Sequence, residues 1–242
     1  MHLQLGAVLA CAAIFVGALT QRMTGLGFAL VAAPLLIVVA GPVEGVLLGN
    51  ALSAVLCVTV LATSWRFVRW RRALLMLAPA LITVPLGAML ALRVPTAPLL
   101  VIVGTIAVAA VGMAAMSNRF ALLPGRGGAV VAGALSGFMN ATAGIGGPML
   151  AVHASSARWP RDVFVGTGQL FLLGLNILSL SAKGLPSISP ALWIWSLVAL
   201  AVGALAGNRL SARVPERLGR PLVLGLAGLG SIVAVIRGLS MM

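Results

Sequence analysis

The chain has 242 residues, of which 61% are hydrophobic and only 8% charged, with a mean hydropathy of +1.16. That balance excludes a water-soluble domain and makes the lipid bilayer the solvent to reason with. Sixteen Lys/Arg against three acids give a formal charge of +13; the arginines cluster in short loops between apolar runs, so they read as cytoplasmic anchors, and nucleic acid is not an expected partner.

Breakers divide the chain into ten apolar segments, at 4–21, 24–40, 43–65, 73–92, 97–116, 127–142, 145–157, 162–182, 190–208 and 221–239. The first, in MHLQLGAVLACAAIF, lacks a basic leader and runs on into further apolar sequence, so it reads as a span and not as a cleaved signal peptide. Segment 145–157 is too short to cross a ~30 Å hydrocarbon core and 24–40 is marginal. These two are half-helices, tilted crossings or re-entrant hairpins, which leaves about eight to ten segments in an all-α polytopic membrane fold. Cys11 and Cys57 lie inside apolar segments and read as small core residues with no disulfide. Trp65, Trp70 and Trp159 adjoin arginine loops and Trp193 and Trp195 open a span, positions typical of interfacial anchors.

The two halves are alike. GALTQRM at 17–23 matches GALSGFM at 133–139, VLLG at 46–49 echoes VFVG at 163–166, and GAMLALRVP at 87–95 matches GNRLSARVP at 207–215. We divide the chain into a first repeat, 1–118, a cytoplasmic linker, 119–126, and a second repeat, 127–242. Five segments per repeat is an odd number, so the repeats must be inverted. Loop charges agree: RFVRWRR at 66–72 has four arginines and its counterpart KGLPSIS at 183–189 one lysine. RVPTAP at 93–98 has one arginine and its counterpart RLSARVPERLGR at 209–220 four. The positive-inside rule then puts equivalent loops on opposite sides and both termini outside.

Matching interruptions occur at QRMTGLGFALVAAP, 21–34, and FMNATAGIGGP, 138–148. Unwound backbone at membrane depth is tolerated where it is buried in protein or lines a watery cavity. Inverted repeats with interrupted helices place a transporter's site near the midplane. A half-helix opening at Gly146, Gly147 and Pro148 loses nothing to proline in its first turn and turns its positive end toward an anion. Gly25, Gly27 and Gly144 complete the candidate backbone cradle. The pair Gly203 and Gly207, inside a continuous helix, reads as helix packing.

Amides and hydroxyls can donate to an anion without burying a charge. Asn50 and Gln169 occupy near-equivalent depths in the two repeats, and Gln21, Thr24, Asn140 and Thr142 flank the interruptions; all six are candidate substrate contacts. Asn176, two turns beyond Gln169, reads as an interhelical hydrogen bond. Arg22 either pairs with the substrate or marks the cytoplasmic end of its helix. His153 is either a helix-end residue or a substrate or proton contact. No acid lies at mid-span: Glu44 and Asp162 open segments and Glu216 sits in a basic loop, which argues against a carboxylate proton relay. An enzyme would need paired carboxylates, a metal set or an activated nucleophile, so no catalytic residue, metal or cofactor is expected. GIGGP without a following Lys-Ser/Thr is not a nucleotide loop.

With its length, its two related halves, and a glycine-rich stretch ending in proline in each, TGLGFALVAAP and GIGGP, the chain resembles the sulfite exporter TauE/SafE family along its whole length. The first copy departs from the family's denser glycine cluster, with Phe28 and Ala29 following Gly27. The resemblance implies a transporter of sulfite, thiosulfate, sulfoacetate or an organosulfonate in the bacterial plasma (inner) membrane. The residues alone specify only a small anion. The expected function is export of that anion by alternating access, with the bilayer and the anion as partners and the oligomeric state left open. The alternatives are a proton-coupled importer of a sulfonate or other organic anion, and a non-transporting membrane scaffold.

Overall fold

The computed structural model describes residues 2–25, 27–116, 123–211 and 216–242. Among them are ten helices and no strand: α1 (His2–Thr24), α2 (Gly27–Ala40), α3 (Pro42–Ser64), α4 (Trp70–Arg93), α5 (Thr96–Met116), α6 (Gly125–Ala143), α7 (Gly147–Ser156), α8 (Arg161–Lys183), α9 (Pro190–Ser211) and α10 (Glu216–Ser240). Each of the ten expected segments corresponds to one of these helices. Six described stretches are long and apolar enough to cross a membrane, Gly6–Met23, Pro42–Phe67, Trp70–Arg93, Thr96–Met116, Arg161–Lys183 and Pro190–Leu210. Between α3 and α4 the chain makes one 3-10 turn, Trp65–Phe67.

The solvent of this fold is visible on α4. Leu74, Leu81, Ile82, Leu86 and Met89 are all exposed, whereas its Ala73, Met76, Ala80, Val84 and Gly87 are buried. An apolar outer face of that extent would be an aggregation patch in water and is a normal boundary in lipid. Small residues dominate the inner contacts, as expected where helices pack without a hydrophobic drive. A Cβ added to Gly207 would lie 2.7 Å from the Leu19 carbonyl oxygen, and one added to Gly203 would collide with that of Phe15. The packing role expected for this glycine pair is therefore what the fold uses, and α1 and α9 run parallel with backbones touching.

The packing has a regular pattern. α4 lies along α6 and α1 along α9, α5 lies along α10, and α3 along α8. Moving every helix five places along the chain turns the first contact into the second and leaves the other two unchanged. α3 and α8 form an antiparallel central pair: Asn50 meets Ser179, Asn176 meets Ser53, and Gly166 approaches Ser64.

Both interruptions reverse the chain. Gly25 and Gly144 have φ of 85° and 71°, the left-handed conformation that ends a helix and that glycine adopts without a Cβ clash. Each N–H closes the last turn, from Gly25 to the Gln21 carbonyl at 2.8 Å and from Gly144 to that of Asn140 at 3.0 Å. α2 then returns along α1, with Gly27 on Thr20, Phe28 and Ala32 near Gly17, and Val39 near Gly6. α7 returns along α6: the Leu123 N–H donates to Ser156 Oγ and the Leu123 carbonyl meets His153 Nδ1. From Gly17 to Gly25 is eight residues but from Gly133 to Gly144 eleven, so the matched heptapeptides sit one turn apart relative to their breaks.

The two hairpins point in opposite directions along α8. Gly25 lies against Phe164 and Val165, in the second turn of α8, whereas Gly146 lies against Leu175. Ten residues at 1.5 Å per residue separate the two apexes by roughly 15 Å along that helix. The end of the bundle where α8 begins also carries the Trp65–Phe67 turn, the start of α4 and the base of the α6–α7 hairpin. It gathers Arg66, Arg69, Arg71, Arg72, Arg126, Arg158 and Arg161.

Candidate functional site

α8 supplies a polar stripe. Gln169, Asn176 and Lys183 recur every seven residues, with Ser179 between them; a seven-residue step returns to nearly the same helix face. α3 answers with Asn50 and Ser53, one turn apart and facing α8. In hydrocarbon each unpaired amide would cost several kcal/mol, so these groups hold one another and the hairpin apexes.

At the first apex, Gln21 Nε2 donates to Gln169 Oε1 at 3.3 Å, and the Phe28 N–H donates to Gln21 Oε1 at 3.0 Å. Gln169 Nε2 donates to the Gly25 carbonyl at 2.9 Å. Gln21 and Gln169 are both buried. The start of α2 is thus capped from within by Gln21. Arg161, in the first turn of α8, donates to the Met23 carbonyl at 3.5 Å, where a cation suits a helix C-terminus.

The second apex is richer. Asn50 Nδ2 donates to Ser179 Oγ at 2.8 Å and to the Asn140 carbonyl at 3.4 Å, while Asn140 Nδ2 donates to Asn176 Oδ1 at 3.3 Å. Asn176 Nδ2 donates to Ser53 Oγ at 3.0 Å. Lys183 Nζ donates to the Ala141 carbonyl at 2.7 Å. Two features differ from the first apex. α7 opens at Gly147 and Pro148 with no side chain capping it, although Ile145, Gly147, Pro148, Met149 and Leu150 are buried. The Asn50 amide oxygen is buried with no hydrogen-bond partner; it lies 3.6 Å from where a Cβ on Gly144 would stand. A buried helix N-terminus without a cap, packed against the amide side chain of Asn140, is an arrangement that receives an anion.

The expected site residues therefore separate. Gln21, Gly25 and Gln169 meet at the first apex; Asn50, Asn140, Gly144, Gly146, Gly147 and Pro148 meet at the second. Gly27 packs tightly on Thr20, 2.7 Å from its hydroxyl were a Cβ present. Thr142 turns its hydroxyl back to the Phe138 carbonyl at 2.7 Å, satisfied by its own helix. The side chain of Thr24 lies outside the described residues. Arg22 leaves the apex altogether, donating to Thr59 Oγ1 at 3.1 Å on α3.

His153 is also elsewhere, at the base of the second hairpin. Its Nδ1 is 2.8 Å from the Leu123 carbonyl, and its ring meets Trp159 edge-on with centroids 5.4 Å apart. The Arg72 guanidinium lies 5.2 Å from the centroid of the same indole. With Arg71, Arg126 and others they line a cavity of about 520 Å³. Trp159 is thus half-buried in a stack, whereas Trp65, Trp70 and Trp195 are exposed as membrane anchors would be.

Sequence reasoning missed Lys183, Ser53 and Ser179 as members of this network, whereas Asn176 makes the interhelical hydrogen bonds expected of it, to Ser53 of α3 and Asn140 of α6. The seven-residue recurrence of Gln169, Asn176 and Lys183 is the signal that could have found Lys183.

Compared with known proteins, residues 9–234 match a family model described as sulfite exporter TauE/SafE. No curated protein and no solved structure matches the chain.

Proposed function

This chain belongs to the sulfite exporter TauE/SafE family, and from that premise we propose that it is a secondary transporter exporting a small sulfur oxyanion, sulfite or an organosulfonate, by alternating access. It is a multi-pass membrane protein. Five helices per half, the exchange-symmetric packing and the opposed hairpins support two inverted repeats, 1–118 and 127–242, joined by a linker at 119–126. The arginines gathered at one end of the bundle support a cytoplasmic assignment for that end, in a bacterial plasma membrane with both termini outside.

The observation that carries the site is the uncapped, buried N-terminus of α7, packed against Asn140 at the end of α6 that Lys183 also reaches. In this reading the backbone N–H groups of the first turn, the Asn140 amide and the Lys183 ammonium receive the oxyanion. Releasing Lys183 from the Ala141 carbonyl exchanges a dipole contact for a full charge, which is the stronger partner. The first apex, capped from within by Gln21 and Gln169, is the closed counterpart. The roughly 15 Å between apexes exceeds the reach of one sulfite, so the anion contacts one apex at a time.

An inside-negative potential favours anion exit by about 2.3 kcal/mol per charge per 100 mV, so export can proceed without a coupled ion. Proteoliposomes loaded with sulfite test this under an imposed potassium-diffusion potential. Efflux should accelerate when the interior is negative and slow when the sign is reversed; flux indifferent to the sign would sink the uncoupled mechanism. Uptake driven by a pH gradient alone would favour the importer.

A further inference from the structure

The exchange symmetry of the packing is broken at the seam between α3 and α9. With helices five apart as counterparts, α4 on α8 corresponds to α9 on α3. The first contact is closed, with Leu77 pressed so tightly on Gly174 that a Cβ there would meet it at 2.7 Å. The second stands open as a cavity of about 410 Å³ between α1, α3 and α9, walled by Val55 and Leu56 of α3 and by Leu197, Leu200 and Ala201 of α9. Arg22 lines it too.

Arg22 is unusual in its surroundings. It lies within the apolar span Gly6–Met23, half-buried, with one nitrogen on Thr59 Oγ1 and its Nε buried with no hydrogen-bond partner. Thr59 in turn donates to the Leu56 carbonyl at 2.8 Å, so it has no further proton to offer. Among the described residues no carboxylate pairs with Arg22; Glu44 accepts from the Ser187 N–H at the opposite end of the bundle. A charge in a span faces a cavity or a partner, because hydrocarbon alone does not solvate it.

The seam has a direction. α1 and α9 run parallel, so Arg22 and Asn208 share the end near Arg161, while Val55 and Leu197 lie deeper in the bundle. A cation near the membrane surface above an apolar channel leading inward matches an amphiphile with an anionic head. From these observations we infer that the α1–α3–α9 seam seats an acyl chain of an anionic phospholipid, with the lipid phosphate on the Arg22 guanidinium. Phosphate oxygens accept from the guanidinium N–H groups that line the seam, and the chain fills the volume that Leu77 and Gly174 close on the other side of the molecule. The inference is independent of the sulfur-anion site, which lies at the other apex.

The test uses the full chain, delipidated in detergent and titrated separately with phosphatidylglycerol, phosphatidylcholine and inorganic phosphate, read by native mass spectrometry and thermal shift. The wild type should retain phosphatidylglycerol over phosphatidylcholine several-fold, because the choline cation offsets part of the attraction of the phosphate to Arg22, and inorganic phosphate should not shift its melting. Arg22→Gln should lose that preference. Ala201→Trp, which fills the seam and keeps the charge, should lose retention of the phospholipid and tests the idea even if Arg22→Gln does not fold. Undiminished preference in Arg22→Gln, or undiminished retention in Ala201→Trp, would overturn the assignment. Stabilisation by inorganic phosphate equal to that by the lipid would overturn it in favour of a free-anion site.

Discussion

Gly144 shows what one residue decides. Its φ of 71° turns α6 into α7, and a side chain there adopts a left-handed backbone at a cost of about 1–2 kcal/mol. Gly144→Ala should lower the melting temperature measurably and weaken sulfite binding together. Asn140→Ala and Lys183→Gln separate the two effects. Each removes a donor from the proposed site, and each should reduce sulfite-induced stabilisation several-fold while the protein remains folded; unchanged stabilisation in both would remove the second apex from the mechanism. Asn140, Gln169 and Asn50 were legible as members of a polar network because an amide within an apolar run must find a hydrogen-bond partner. Lys183 was not, because it closes a span and looks like an ordinary loop charge until the fold brings the end of α6 beneath it. Arg22 stood between two readings, substrate pairing and the end of its helix. It adjoins Gln21 in the chain, but successive helical residues point about 100° apart, so Gln21 enters the apex and Arg22 faces α3.

At the scale of elements, apolar runs punctuated by glycine and proline fixed the number and approximate limits of all ten helices. Bilayer thickness and backbone hydrogen bonding leave few other options for such a sequence. Hydropathy could not decide whether each interruption continues forward or turns back, since that depends on contacts between α1 and α2 and between α6 and α7. The glycines carry this information only when the neighbouring helix is known. Gly207, in touch with the Leu19 backbone, is a case in point. Gly207→Leu should push α9 off α1 and destabilise by about 1–3 kcal/mol, the usual range for overpacking. A melt in mild detergent checks it, and the same substitution at Gly228, where an added Cβ meets nothing within 4 Å, should be nearly silent.

For the whole molecule, the charge asymmetry of the loops and the opposed hairpins each support the proposal of inverted halves. A topology measurement joins them. In a background lacking Cys11 and Cys57, a single cysteine at Ser187 should react with an impermeant thiol reagent added outside cells, and one at Arg126 should react only after permeabilisation. The reverse pattern would invert the whole assignment. The proposed substrate was not legible in composition; the spacing of the interruptions implies a small anion and nothing narrower, and sulfur chemistry enters through the family. One consequence belongs to α8 alone. Its 23 residues form a tie-rod: Gln169 grips one hairpin tip, Asn176 and Lys183 grip the other, and all three project from one side of the shaft. In the proposed transport cycle a twist of that shaft would loosen both tips in the same stroke, making α8 their common latch.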